Sequence, residues 1–362
     1  MIFREDGKIR DIIRRLSACG ELKRQDFFLL MGDISPEEEQ TLFQAARACS
    51  AERFGRKIYL RGLIEISNIC KNNCYYCGIR RGNKEAERYR MSREEILACC
   101  CNGYRLGFRT FVLQGGEDPL QDDPLVEDTV AAIRERYPGC AVTLSLGEKS
   151  RESYKRFRRA GADRYLLRHE TADPRHYRQL HPPEMSLENR MRCLRDLKEL
   201  GYQTGTGMMI GSPGQTLETL WEDLEFIRRL RPEMIGIGPY LVHHGTPFAD
   251  QKNGSLTWTL RLLSVLRLLY PDVLLPATTA LSTLHPEGRK LGILAGANVV
   301  MPNLGMPGQR EKYELYDHKL CAGQEAAEGR KELENMMGQI GYTLSESRGD
   351  FQEHSPRCRK EE

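Results

Sequence analysis

The run Ile58-Tyr59-Leu60-Arg61-Gly62-Leu63-Ile64-Glu65-Ile66-Ser67 leads directly into Cys70-Lys71-Asn72-Asn73-Cys74-Tyr75-Tyr76-Cys77. The first part is apolar and strand-like. The second places three thiolates on one short loop, spaced C-x3-C-x2-C, which suits three corners of a 4Fe–4S cluster. Such clusters are normally held by four cysteines, so a three-cysteine loop keeps one iron open for a small molecule. The plainer alternative is structural zinc, which takes four closed ligands and would need its fourth elsewhere. A loop that begins where a strand ends is the context that favours the cluster.

Seven further strand-like runs follow the first: Thr110–Leu113, Ala141–Leu146, Asp163–Leu167, Thr204–Ile210, Met234–Gly238, Val273–Ala277 and Asn298–Met301. Segments of helical periodicity separate them. Ser92-Arg93-Glu94-Glu95 is a capping box. Asp123-Pro124 and Asp173-Pro174 each read as an N-cap followed by Pro. Eight strands alternating with helices predict an α/β fold, a parallel (β/α)8 TIM barrel. Residues 1–55 read as an N-terminal helical extension, with Ile12, Ile13, Leu16 and Cys19 at helical spacing and a second helix opening at Ser35-Pro36. The barrel is expected over 56–320. Residues 321–362 read as a short tail, a helix near Glu328–Gly338 and then frayed chain from about 345 onward.

Composition bounds the rest. A chain of 362 residues has room for a barrel of about 250 with decorations. The net charge of +3 gives no reason to expect nucleic acid or a membrane surface as partner. No run of about 18 apolar residues predicts a membrane span, and no signal peptide is visible. Twelve cysteines without a disulfide-like spacing suggest a reducing cytoplasm. An oxygen-sensitive cluster points further to an anaerobic or microaerobic cell. Cys99, Cys100 and Cys101 are adjacent on one helix and point about 100° apart, so they cannot share a metal.

Barrels carry their chemistry at the C-terminal ends of the strands. After the second run comes Gln114-Gly115-Gly116-Glu117, two glycines that allow close backbone approach and an acid able to accept from an ammonium. Thr143 and Ser145 share one face of the third run. Leu166, Arg168 and Glu170 share a face on the fourth, with Tyr165 and His169 turned toward the helices. Charges at i and i+2 inside a barrel are either an internal ion pair or a pocket for a charged ligand. Arg190 lies on a helix. Thr278 and Thr279 end the seventh run and Met301-Pro302-Asn303 the eighth.

These blocks resemble one family. Cys70 to Cys77, with an aromatic residue before the third cysteine, matches the radical S-adenosylmethionine (SAM) superfamily. Val112-Leu-Gln-Gly-Gly-Glu-Asp-Pro119, Val142-Thr-Leu-Ser-Leu-Gly-Glu148, Tyr165-Leu-Leu-Arg-His-Glu-Thr-Ala172, Gly236-Ile-Gly-Pro239 and Pro276-Ala-Thr-Thr-Ala280 are similar to the HydE-type maturases of the FeFe-hydrogenase active site, the H-cluster. The resemblance implies that SAM binds the open iron and is reductively cleaved to a 5′-deoxyadenosyl radical. It implies Cys70, Cys74 and Cys77 as metal ligands. It puts Tyr76 near the adenine, Glu117 on the amino group, and Glu170 with Arg190 at the amino-acid end. Thr143, Ser145, Arg168, Thr278, Thr279, Met301 and Tyr313 would line the cavity, Ser145 on its cofactor side. The implied substrate is a cysteine-bound iron carbonyl cyanide complex, with other hydrogenase maturases and an external electron donor as transient partners. Some members carry a second surface cluster. Cys321 stands without nearby cysteines here, so no second Fe–S cluster is expected. Methylornithine synthase, which rearranges lysine, and biotin synthase share fold and loop and are the alternatives. A non-catalytic iron–sulfur carrier would not need Glu117, Glu170 and Arg190.

Overall fold

The computed structural model describes residues 7–320 and 326–354. β1 (Lys57–Leu60) and β2 (Gly62–Ser67) are two halves of the first run. β3 (Thr110–Gly115), β4 (Ala141–Ser145), β5 (Arg164–Leu166), β6 (Gln203–Thr206), β7 (Met209–Ile210), β8 (Met234–Ile235), β9 (Gly238–Pro239), β10 (Val299–Val300) and β11 (Thr343–Ser345) follow. β2, β3, β4, β5, β6 and β8 are neighbours in that order, all parallel. β7 and β9 extend β6 and β8 and pair with each other. The seventh run joins through single bridges, Met234 to Leu274 and Pro276 to Val299. β10 pairs with β1, and Leu63 bridges to Asn303. The ring is therefore closed, and the eight expected runs are its staves.

The later strands are short for local reasons. Pro239, Pro276 and Pro302 lack a ladder donor. β6 breaks before β7 at Gly207, where an added Cβ would lie 1.9 Å from the Gly236 carbonyl oxygen. Helices start where their caps dictate. Ser35 and Ser92 each close a capping box with Glu38 and Glu95. Asp173 caps the helix Pro174–Leu180. The cap before Pro124 is Asp122, one residue earlier than expected, and Asp123 is already helical. Leu256–Leu269 is apolar nearly all round because it lies beneath the N-terminal helix Pro36–Phe54 while covering the barrel.

The chain beyond 340 departs from expectation. The helix Ala326–Gln339 forms as read, but the residues after it are built into the barrel floor. β11 pairs in parallel with β1, Lys57 with Thr343 through Tyr59 with Ser345. Arg164, fully buried, donates to Asp350 Oδ1 at 2.6 Å and to the Arg348 carbonyl at 2.8 Å. Thr110 Oγ1 donates to the same carbonyl at 2.8 Å. Phe351, like Tyr59 and Met301, packs against the cluster of Met234, Leu274 and Val299. A polar, glycine-containing tail reads as frayed because its partners, Arg164 and Gln203, are far away in sequence. Among the described residues, no helix is long and apolar enough to cross a membrane.

Candidate functional site

The cysteine loop leaves the C-terminal end of β2 and is stitched down on every side. Asn68, fully buried, donates to the carbonyls of Glu87 (2.8 Å) and Lys312 (2.6 Å). Arg88 donates to four carbonyls, of Asn68, Ile79, Arg80 and Asn83, and so fixes both ends of the loop. Tyr75 N–H donates to the Leu180 carbonyl at 2.9 Å. Gly116 must be glycine, since a Cβ there would lie 2.3 Å from the Ile69 carbonyl oxygen and 2.8 Å from Cys70 Cβ. Gly78 is equally confined, by the Glu314 carbonyl and the His243 ring.

Burial raises all three thiol pKa values, and Cys74 and Cys77 also lie in the field of other cysteines of the loop. Burial, then Cys70, pushes Cys77 up to about 12. Without a metal these groups would be neutral thiols; metal binding deprotonates them. Their spread discriminates between ions. Thiolates around one zinc stand about 3.8 Å apart, from a Zn–S bond of about 2.3 Å in tetrahedral geometry. Among the described residues, the only His, Cys, Asp and Glu atoms gathered in threes within 4.8 Å of one another belong to His243, His244 and Asp317. The three sulfurs are therefore not drawn together as they would be around a single ion.

A charged pocket adjoins the loop. Glu117 is buried; it accepts from the Glu148 backbone N–H at 2.9 Å and pairs with Lys71 at 3.1 Å. Gly147, at φ 73°, makes room for it, because a Cβ would strike Glu117 Cγ at 2.2 Å. Arg190 is buried and pairs through Nε with Glu148 Oε1 at 2.5 Å. One terminal nitrogen donates to the Arg168 carbonyl at 2.6 Å. Asn189 binds the other oxygen of Glu148. The resemblance puts Arg190 and Glu170 together at the amino-acid end of SAM; within the protein Arg190 pairs with Glu148, a residue quoted in a motif but given no role. Glu148 and Arg190 are 42 residues apart, and sequence spacing carries no signal for such a pair.

Glu170 lies instead beside Arg168, whose terminal nitrogen is 3.3 Å from Glu170 Oε2. The alternation assumed for them ends early, because β5 stops at Leu166 and Glu170 takes the left-handed conformation, φ 65°. That backbone is strained for a residue other than Gly, Asn or Asp. It is held from behind. His169, fully buried on the helix side, shares a hydrogen bond with Thr206 Oγ1 at 2.8 Å and lies 3.3 Å from Asp223. Asp223 also accepts from Ala172 N–H. Thr206 thus faces His169, away from the lumen. Tyr165, as expected, packs outward against Tyr154 and Tyr202.

Tyr76 projects from the loop beside His181, hydroxyl to Nε2 3.2 Å. Burial, then Arg190, lowers the His181 pKa to about 3, so the ring is neutral at physiological pH. Its Nδ1 faces the Tyr177 carbonyl at 3.0 Å and must carry the proton. Nε2 therefore accepts from the Tyr76 hydroxyl.

Deeper polar groups lack partners. Thr143 Oγ1, Thr278 Oγ1, Arg168 Nε and a terminal nitrogen, and Glu170 Oε2 are buried without a hydrogen bond. Arg61, not singled out from sequence, is buried with Nε and one terminal nitrogen unbonded; its other terminal nitrogen touches Met234 Sδ at 3.0 Å. An orphaned buried polar group costs about 1–3 kcal/mol, so a set of them marks space meant for a polar ligand. Ser145 is half-buried at the end of β4, opposite Gln114. Thr279 opens the helix Thr279–Leu284. Tyr313 is buried, 3.4 Å from Gln114 Nε2, beneath Lys319, which pairs with buried Glu65. Met301 packs in the apolar cluster at the floor with Phe351. Cys321 lies outside the described residues, so the expectation of no second cluster stands as an expectation.

Residues 64–227 match the model of the Radical SAM superfamily. The chain is accordingly a radical SAM enzyme, using a 4Fe–4S cluster and S-adenosylmethionine. It is 47% identical over 282 residues to the [FeFe] hydrogenase maturase subunit HydE of Thermotoga maritima, covering 78% of this chain and 80% of that protein. The chain belongs to the HydE family. It is also similar to a 3-methylornithine synthase of Methanosarcina acetivorans, 31% identical over 303 residues, 83% of this chain and 85% of that one. The crystal structure of methylornithine synthase (PylB) superposes with a TM-score of 0.80 at 27% identity, covering 92% and 97% of the two chains.

Proposed function

We propose that this enzyme acts in maturation of the FeFe-hydrogenase active site, on a cysteine-bound iron carbonyl cyanide complex held inside the barrel. The observation that carries the reading is the 47% identity to HydE across four-fifths of that protein. Cys70, Cys74 and Cys77 hold the cluster in this reading, and Glu117, Glu170 and Arg190 hold the amino-acid end of SAM. When bound and reduced, the pair supplies a 5′-deoxyadenosyl radical; the hard chemistry is the cofactor's. The protein's share is orientation and exclusion of water. Arg168 and Thr143, with Thr278 and Arg61, offer the substrate hydrogen bonds that the protein leaves unmade, and Thr279 stands next to Thr278 at the start of its helix. Their donors suit an anionic, cyanide-bearing complex. Lys319 donates to the Tyr313 carbonyl at 2.8 Å and pairs with Glu65, while Gln114 reaches the Tyr313 hydroxyl. Partner maturases would supply substrate and take product, and an external donor would reduce the cluster. Twelve cysteines without disulfide-like spacing suit the cytoplasm.

The second reading, a lysine mutase, is favoured by the superposition on methylornithine synthase. Its lower identity, 31% against 47%, places it second. Anaerobic incubation of reconstituted protein with SAM, a reductant and the synthetic iron complex, followed by paramagnetic resonance, separates them. A new iron-centred signal that depends on the complex is expected. Turnover of lysine in a parallel tube, with the complex inert, would reverse the order.

A further inference from the structure

The helix Pro174–Leu180 carries a group that the cofactor pocket has not used. Tyr177 is 1% exposed, and its hydroxyl has no hydrogen-bond partner among the described residues. Its ring is fixed. It stacks on His181 with centroids 4.0 Å apart and planes at 21°, and its own carbonyl accepts from His181 Nδ1. His181 is in turn tied to Tyr76 of the cysteine loop. The hydroxyl therefore cannot swing away to find an acceptor. The charges that reach it are those of Arg190, Glu148, Cys74 and Glu170, the groups of the cofactor pocket.

Arg190 shows a matching vacancy. Its Nε is spent on Glu148 and one terminal nitrogen on the Arg168 carbonyl. The other terminal nitrogen has no partner among the described residues. Glu148 accepts from Arg190 Nε and Asn189, and from neither of these two donors. Two unspent donors, one of them cationic, thus stand near Cys74 with no protein acceptor. The amino-acid end of SAM offers an amino group, whose lone pair is taken up by a proton or by the iron so that it only donates, a sulfonium, which does neither, and a carboxylate, which accepts through two oxygens. A carboxylate beside a guanidinium is also the favourable electrostatic choice.

We propose that the Tyr177 hydroxyl is a ligand for the α-carboxylate of S-adenosylmethionine, sharing it with the free terminal nitrogen of Arg190. The inference rests on the chain's use of SAM and adds a residue on an element that carries none of the motif residues. Its test compares wild type and Tyr177→Phe, both cluster-loaded and anaerobic, for binding of SAM and of its decarboxylated analogue, S-adenosyl-3-methylthiopropylamine. Phe keeps the ring and its stack, so iron content and melting temperature should be unchanged. Affinity of the variant for SAM should fall about 10- to 100-fold, the worth of one hydrogen bond to a charged group. Its affinity for the analogue should equal that of wild type. An unchanged SAM affinity, or an equal loss for both ligands, would overturn the proposal while leaving the cofactor assignment intact. Wild-type protein that binds no SAM would instead overturn the assignment, and the proposal with it. A second arm deletes nothing. 3-Fluorotyrosine at position 177 should shift its fluorine resonance on addition of SAM and not of the analogue; a shift common to both ligands counts against the carboxylate contact.

Discussion

At the scale of single residues, the site is built from charges that the protein leaves half-satisfied. Arg168 faces Glu170, but two of its nitrogens make no hydrogen bond. Arg168→Ala should therefore leave SAM affinity within a few-fold of wild type and weaken capture of the iron complex at least tenfold, read by titration of each ligand separately; unchanged capture would remove Arg168 from the substrate's contacts. Glu148 behaves oppositely. It is the counter-ion of a buried guanidinium, and removing one partner of a buried pair costs about 3–5 kcal/mol. Glu148→Ala should lower the melting temperature and loosen SAM, with the iron content retained. A variant with wild-type melting and SAM affinity would show that Arg190 needs no partner. The spacing of the three cysteines and the place of Glu117 after the second run were legible because they are local, written within a few positions. The roles of Glu148 and Arg61 were not, because burial and long-range pairing set them.

At the scale of elements, two departures from the expected pattern share a cause. The fourth run was read as continuing alternation through Glu170, yet β5 ends at Leu166 and Glu170 turns left-handed. The buried His169–Asp223 contact behind it fixes that turn, and neither residue advertises this in sequence. The tail was read as frayed, yet Arg164 anchors Asp350 in the floor. The early strands, rich in Val, Ile and Leu, were legible from composition. The two-residue β8, β9 and β10 were found by their place in the alternation rather than by length. The floor also predicts a pH dependence. Burial would raise the Asp350 pKa, but Arg348 and Arg164 outweigh it and hold it at about 2, below the ordinary 3.8. A depressed carboxylate contributes stability above its unfolded pKa and loses it as pH falls through the folded one. Asp350→Asn should thus melt lower than wild type near neutrality, and the gap should close between about pH 4 and pH 2. A gap of constant size across that range would mean that the ion pair does not anchor the floor.

At the scale of the whole molecule, one closed parallel barrel brings together what the sequence keeps apart. The cysteine loop, the 168–172 segment, the helix bearing Arg190 and the segment around Tyr313 converge on one mouth, and the C-terminal segment stops the other end. That enclosure is what radical chemistry requires, since a reactive carbon centre must be kept from solvent. The division of labour makes a simple expectation. Cys74→Ala removes one corner of the cluster and should abolish formation of 5′-deoxyadenosine from SAM and a reductant, while Arg168→Ala should retain it. Near-normal product from Cys74→Ala would contradict the role given to the loop.

The central claim is that three cysteines leave one iron open for the amino-acid end of SAM. It is tested most directly by electron–nuclear double resonance on the reduced, reconstituted protein, using SAM labelled with 15N at the amino group and 17O in the carboxylate. Hyperfine coupling of both labels to the cluster spin is the predicted result. A colourless protein holding only zinc, or a four-iron cluster whose spectrum is blind to both labels, would contradict it.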